Sequence, residues 1–264
     1  MIKAIFFDID GTLVSMDTHR IPDDAYDALF KLKEKGIKLF IASGRPPIQL
    51  PLIGDQFNAF EFDGYVLLNG QYCMDQNKNV FHKMPIDKET LHTVVPYIKS
   101  HPDMICTFME LDYSYDTTFN PSFVEYLKSI GKEDMITPVD DPERSYTHDT
   151  YQICPYGPPE MDEEFLSHAK GMKSARWTPQ FADMIPINGG KQVGIQKMLD
   201  RYGIQKEECM AFGDGGNDIS MLEYVEIGVA MGNALPEVKA AADYVTSPID
   251  DGGLINAFKH FELL

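Results

Sequence analysis

Hydrophobic and polar positions along this chain fall into two textures. Residues 2–7 form a near-continuous apolar run that stops at Asp8, the pattern of a strand buried on both faces of a parallel sheet. Helical periodicity follows. Pro22 opens a segment with Ala25, Ala28, Leu29 and Leu32 on one face, Lys31, Lys33 and Lys35 lie near its end, and Gly36 marks the stop. A second apolar run, residues 37–42, ends at Ser43-Gly44-Arg45. Strand, helix and strand in this order predict a βαβ unit.

Shorter runs come next. Residues 65–68, the turn at Asn69-Gly70, residues 72–74, a polar stretch over 75–79 and residues 80–84 read as short antiparallel strands. From about residue 83 short helices (88–100 and 122–130) alternate with strands (104–110, 152–155 and 181–185). Pro96 predicts a weak point in the first of these helices. After Gly189-Gly190 the βα alternation returns, with a helix over 191–202, a strand over 209–212 ending at Gly213-Asp214, and runs at 227–231 and 244–246. The predicted fold class is α/β. A Rossmann-like parallel-sheet core is built from residues 1–82 and 188–264, and an α+β domain over 83–187 is inserted in it.

Composition leaves this picture intact and narrows the function. The 264 residues are 44% hydrophobic, 11% aromatic and 24% charged, the balance of an ordinary globular protein. A formal charge of −18 argues against nucleic acid and anionic membrane surfaces as partners, because both would be repelled over the whole surface. The inserted segment carries 18 acidic and 9 basic side chains and the remainder 23 and 14, so neither part is a cationic docking module. The apolar run at the N-terminus is too short for a signal peptide, and no stretch approaches the roughly 20 apolar residues that span a bilayer. A cytoplasmic protein, monomeric or weakly homo-oligomeric, is expected. Cys73, Cys106, Cys154 and Cys209 form no Cys-x-x-Cys pair and read as reduced, mostly buried thiols.

Four clusters carry candidate chemistry: Asp8-Ile9-Asp10-Gly11-Thr12, Ser43-Gly44-Arg45, Lys191, and Gly213-Asp214-Gly215-Gly216-Asn217-Asp218. Three follow predicted strands, where open parallel sheets place their ligand sites, and Lys191 stands at a predicted helix start. Asp8 and Asp10 leave one strand together, and Gly11 lets the chain turn sharply behind them. Two carboxylates so close repel, so one must be protonated or both must share a cation. Asp214 adds a third acid, which makes a hard-oxygen site of the kind Mg²⁺ prefers. Any one of these acids alone would read as a turn or helix-cap residue.

In their order the clusters resemble the haloacid dehalogenase superfamily. The insertion, the Asn69-Gly70 turn and the segment Gly228-Val229-Ala230-Met231-Gly232-Asn233 resemble, within it, the Cof-type sugar phosphatases with a type IIB cap. The likeness runs over nearly the whole chain. One departure is Gln192, which follows Lys191 where the family usually has Gly.

The resemblance implies a Mg²⁺-dependent hydrolase for small phosphate monoesters, hexose phosphates foremost, working through an aspartyl-phosphate. Asp8 is then the nucleophile and Asp10 the acid and base. Asp8, the backbone carbonyl of Asp10 and Asp214 hold the metal, with Thr12 and Asp218 behind them. Ser43, Gly44, Arg45, Lys191 and Asn217 bind phosphate, and the inserted domain is a cap that selects the substrate. Two other readings stay open: a phosphomutase of the same fold, and a phosphate-sensing module in which a phosphorylated Asp8 persists. The seven histidines are scattered without ligand spacing. Trp177, Glu110, Arg176 and Asp183 are candidate specificity contacts, with structural roles the stronger expectation for each.

Overall fold

A computed structural model describes residues 1–129 and 136–264. They resolve into two compact units. One comprises residues 1–44, 53–83 and 190–264, and the other residues 45–52 and 84–189.

The first unit is built on an eight-stranded sheet. Its strands are β1 (Ala4–Phe7), β2 (Lys38–Ala42), β3 (Gly64–Leu67), β4 (Tyr72–Asp75), β5 (Val80–Lys83), β11 (Cys209–Gly213), β12 (Ile227–Ala230) and β13 (Tyr244–Val245), and their order is β13-β12-β11-β1-β2-β3-β4-β5. β1 lies in parallel between β2 and β11, which brings both ends of the chain into one sheet. Pairing is parallel from β13 to β3 and antiparallel from β3 to β5. All four residues of β1 are buried, and Phe6 stacks on Phe40 at 4.9 Å and Phe7 on Phe212 at 5.4 Å.

Helices cover both faces of this sheet. Ile195, Met198 and Leu199 of α6 (Lys191–Tyr202), Met221 and Leu222 of α7 (Ile219–Leu222) and Val238 of α8 (Pro236–Ala241) join Ala4, Phe6, Phe40 and Val66 in one core. Against the opposite face, Phe258 of α9 (Gly253–His260) meets Phe7 and Phe212 edge-on. α1 (Asp23–Glu34) buries the predicted stripe of Ala25, Ala28, Leu29 and Leu32. The remaining short helix of this unit is α2 (Asp55–Ala59).

The second unit holds a five-stranded antiparallel sheet of β6 (Cys106–Met109), β7 (Ser114–Asp116), β8 (Gln152–Pro155), β9 (Met172–Thr178) and β10 (Phe181–Pro186), in the order β7-β6-β8-β10-β9. α3 (Lys88–Ser100) and α5 (Asp162–His168) place Leu91, Val94, Val95, Ile98 and Phe165 against one face. α3 opens on Asp87, whose carboxylate accepts the Thr90 N–H at 2.7 Å, a cap worth about 1 kcal/mol.

Pro96 does not break α3. It lies on the exposed side of an unbroken helix, where water can take the carbonyl that the missing N–H leaves unpaired. The predicted helix over 122–130 is observed as α4 (Pro121–Ser129); Ile130 lies outside the described residues. Among the described residues no helix is long and apolar enough to cross a membrane, and all four cysteines are free and buried.

Candidate active site

Because β1 pairs in parallel with both β2 and β11, the residues that follow these strands emerge side by side. The Asp8 N–H still donates to the Phe212 carbonyl at 3.0 Å, so the nucleophile candidate sits one step beyond the last rung of the sheet. The chain then turns: Gly11 donates to the Val14 carbonyl at 2.9 Å, and Leu13 and Val14 donate to Ile9 at 3.0 and 2.7 Å. Gly11 has φ +83°, and a Cβ there would stand 2.5 Å from Asp214 Oδ2. No other residue fits this corner without moving the acid beside it.

Lys191 begins α6, as the sequence predicts, but it is not a solvated helix-start lysine. It is fully buried, and its Nζ donates to Asp8 Oδ1 at 2.6 Å and to Asp218 Oδ1 at 2.5 Å. The other oxygen of Asp218 accepts the N–H groups of Asp214 and Gly215, each at 2.9 Å. Thr12 Oγ1 donates to Asp214 Oδ1 at 2.6 Å. Carboxylate oxygens of Asp8, Asp214 and Asp218 lie within 4.8 Å of one another.

One ammonium does not balance this many acids. Burial pushes the Asp8 carboxyl up to about 7, with Lys191 pulling it down and Asp218 and Asp10 pushing it further up. Burial, reinforced by Asp8 and Asp218, holds Asp214 well above the usual carboxylate range. Burial works to lower Lys191, yet the charges of Asp218 and Asp8 outweigh it and raise its affinity for the proton. The cluster therefore has room for a second cation, and an all-oxygen donor set suits a hard divalent ion. Among the described residues, no histidine or cysteine joins the group.

Asp10 is half-buried in the turn and bridges to Val14. Ser43 is buried just past β2, with its N–H on the Val66 carbonyl at 2.8 Å and its carbonyl accepting the Asn69 N–H at 3.0 Å. Gly44 closes this segment of the first unit, and Arg45 groups with the second. Asn217 donates from Nδ2 to Asn69 Oδ1 at 3.0 Å.

The candidate specificity residues of the second unit are engaged within it. Glu110 makes a two-pronged pair with Arg144 at 2.7 and 3.0 Å, Arg176 pairs with Asp162, and Asp183 accepts the Cys154 thiol at 3.2 Å.

Two asparagines to which the motifs assign no role turn out to join loops of the site. Asn233 donates from Nδ2 to the Gly11 carbonyl at 2.8 Å and accepts the Ile249 N–H at 3.0 Å. Asn69 reaches Ser43, Gly190 and Asn217. The only signal in the sequence is an Asn beside a Gly just past a strand.

A profile for haloacid dehalogenase-like hydrolases matches residues 5–258. The Bacillus subtilis protein YkrA, itself assigned as a phosphatase with no named substrate, is 33% identical over 264 residues, covering 99% of this chain and 98% of that one. Phosphoglycolate phosphatase 1 of Saccharolobus solfataricus is 28% identical over 251 residues, covering 94% and 90%. Among solved structures, a sugar phosphatase of haloacid dehalogenase subclass IIB superposes with a TM-score of 0.86 at 37% identity, covering 99% of this chain and all of that one. A phosphatase of the superfamily from Bacteroides thetaiotaomicron gives 0.89 at 33% identity, covering 100% and 96%.

Proposed function

The chain belongs to the haloacid dehalogenase-like hydrolases, among them to the phosphatases, and from that premise we propose that it hydrolyses small sugar phosphates, hexose phosphates foremost, with Mg²⁺ and an aspartyl-phosphate intermediate. The observation that carries this reading is the contact at 2.6 Å between buried Lys191, at the start of α6, and Asp8, just past β1 between its parallel neighbours. A lysine so placed favours the ionised form of Asp8 and aims its carboxylate, and it offsets the charge of an incoming phosphate.

In the first step an Asp8 oxygen bonds to phosphorus as the bond from phosphorus to the sugar oxygen breaks. Asp10 gives its proton to the departing alkoxide. In the second step water attacks phosphorus, Asp10 takes its proton, and the bond to Asp8 breaks to release inorganic phosphate.

Ser43, the Gly44 amide, Arg45 and Asn217 hold the phosphoryl oxygens. Asp8, the Asp10 carbonyl and Asp214 would hold Mg²⁺, with Thr12 fixing Asp214 and Asp218 fixing Lys191 and the backbone of Asp214. When bound, Mg²⁺ supplies positive charge to the phosphoryl oxygens and lets Asp8 and Asp214 stay ionised side by side. The inserted segment 83–187 acts as the cap that selects the sugar, as fits the resemblance to a subclass IIB sugar phosphatase. The acidic surface disfavours a nucleic acid or anionic membrane partner, and a small-molecule substrate in the cytoplasm completes the proposal.

Release of inorganic phosphate from p-nitrophenyl phosphate and a panel of hexose and pentose phosphates tests the proposal. Activity that needs Mg²⁺, vanishes in chelator and falls by about a thousandfold or more in Asp8→Asn is expected. Full activity in Asp8→Asn would remove the nucleophile assignment, and isomer formation without phosphate release would replace hydrolysis by a mutase.

A further inference from the structure

The turn between β3 and β4 is an unusual piece of backbone. Leu68, Asn69 and Gly70 have φ of +52°, +53° and +94° in succession, a left-handed run that non-glycine residues adopt only at a cost. Here the run is buried, with Asn69 1% exposed, and it turns the N–H, the carbonyl and Oδ1 of Asn69 each toward a different loop of the site. The Asn69 N–H donates to the Ser43 carbonyl at 3.0 Å, its carbonyl accepts the Gly190 N–H at 3.0 Å, and its Oδ1 accepts from Asn217 Nδ2 at 3.0 Å. Gly70 packs so closely on the start of α6 that a Cβ there would stand 2.1 Å from the Gly190 carbonyl oxygen. One residue thus joins the loop after β2, the peptide before Lys191 and the loop after β11.

The geometry points to Asn69 as a positioning residue for phosphate binding, acting through the Asn217 carboxamide. This rests on the reading that Asn217 binds the phosphoryl group. An asparagine side chain offers a nitrogen with two hydrogens at one end and a bare oxygen at the other. Only the nitrogen end attracts an anion. By accepting one hydrogen at Oδ1, Asn69 fixes which end lies at that position and leaves the second N–H to be offered to a phosphoryl oxygen. Without the acceptor the carboxamide is free to rotate, and its oxygen would then repel the dianion.

Because the backbone bonds of Asn69 do not depend on its side chain, substitution separates the two contributions. Asn69→Gly keeps the left-handed turn and removes Oδ1; Asn69→Ala removes Oδ1 and also strains the turn. Steady-state hydrolysis of p-nitrophenyl phosphate, competitive inhibition by inorganic phosphate and thermal melting are measured for Asn69→Gly, Asn69→Ala, Asn217→Ala and the double variant Asn69→Gly/Asn217→Ala.

In Asn69→Gly, KM and the inhibition constant for phosphate rise about five- to tenfold while kcat falls less, with melting near that of the parent. Asn69→Ala matches it in KM and melts lower. In the Asn217→Ala background, Asn69→Gly adds no further loss. Additive losses in the double variant, or an unchanged KM in Asn69→Gly beside a raised one in Asn217→Ala, would overturn the positioning role while leaving Asn217 as a phosphate ligand. An unchanged KM in Asn217→Ala would remove the ligand reading itself, and the role of Asn69 with it.

Discussion

At the scale of single residues, the site turns on how one buried ammonium is shared. Lys191 touches Asp8 and Asp218, and both contacts are buried. In water such a pair contributes little, but here the carboxylates have given up their hydration and depend on the lysine in return. Lys191→Met keeps the length and apolar stem of the side chain and deletes the charge. The variant should lose about 3–5 kcal/mol of stability in urea unfolding, the cost of leaving a buried charge uncompensated. It should also lose nearly all phosphatase activity. Lys191→Arg should recover only part of the stability, because a planar guanidinium does not fit a point-charge site. A stability loss under about 1 kcal/mol for Lys191→Met would mean that water already screens the pair.

At the scale of elements, the inserted unit carries its own buried acid. Asp116, at the end of β7, accepts from Thr107 Oγ1 in the neighbouring strand, and burial raises its carboxyl from an ordinary value near 4 to about 6. An acid raised in the folded state holds its proton more tightly there than in the unfolded chain. Its contribution to stability is complete below about pH 4 and is lost as pH rises through about 6. Asp116→Asn, which keeps the shape and cannot ionise, should therefore gain on the parent by about 2–3 kcal/mol between pH 4 and pH 7. Trp177, the single tryptophan of the chain, lies in β9 of the same unit, so its fluorescence follows the unfolding of this sheet. A stability difference that stays flat across that range would show that Asp116 is ionised throughout.

Elements also show where the sequence was readable. β1, β2, β11 and α6 were legible because each is an apolar run or stripe with a marked end: Asp8 after β1, Ser43-Gly44 after β2, Gly213-Asp214 at the end of β11, and Lys191 and Gly203 at the two ends of α6. β9 was not. Its residues, from Met172 through Arg176 and Trp177 to Thr178, are mostly half-buried at the sheet edge, so neither alternation nor a continuous apolar run marks it. Asp8, Lys191, Asp214 and Asp218 were likewise readable as motif positions, and the βαβ pattern accounts for β1 beside β2, whereas the pairing of β1 with β11 joins the two ends of the chain and no local pattern encodes it. The roles of Asn69 and Asn233 were hidden for a different reason. Their hydrogen bonds to Asn217 and Gly11 span 148 and 222 positions, and no local pattern encodes such a partner.

At the scale of the whole molecule, a net charge of −18 acts in opposite directions on the two ligands of the proposed reaction. The field of the protein draws a dication toward the cluster of Asp8, Asp214 and Asp218 and holds a phosphate ester away. Monovalent salt weakens both effects, because the screening length falls from about 20 Å at about 20 mM to about 6 Å at about 300 mM. Raising KCl across that range should weaken apparent Mg²⁺ affinity several-fold, read from the rise in melting temperature on titration with Mg²⁺. At saturating Mg²⁺ the same salt should leave KM for the ester unchanged or lower it, since the repelling surface is screened while Lys191 is buried and escapes that screening. If KM instead rose in step with the loss of Mg²⁺ affinity, exposed cations would be drawing the ester in, and the buried focus around Lys191 would not be what overcomes the acidic surface.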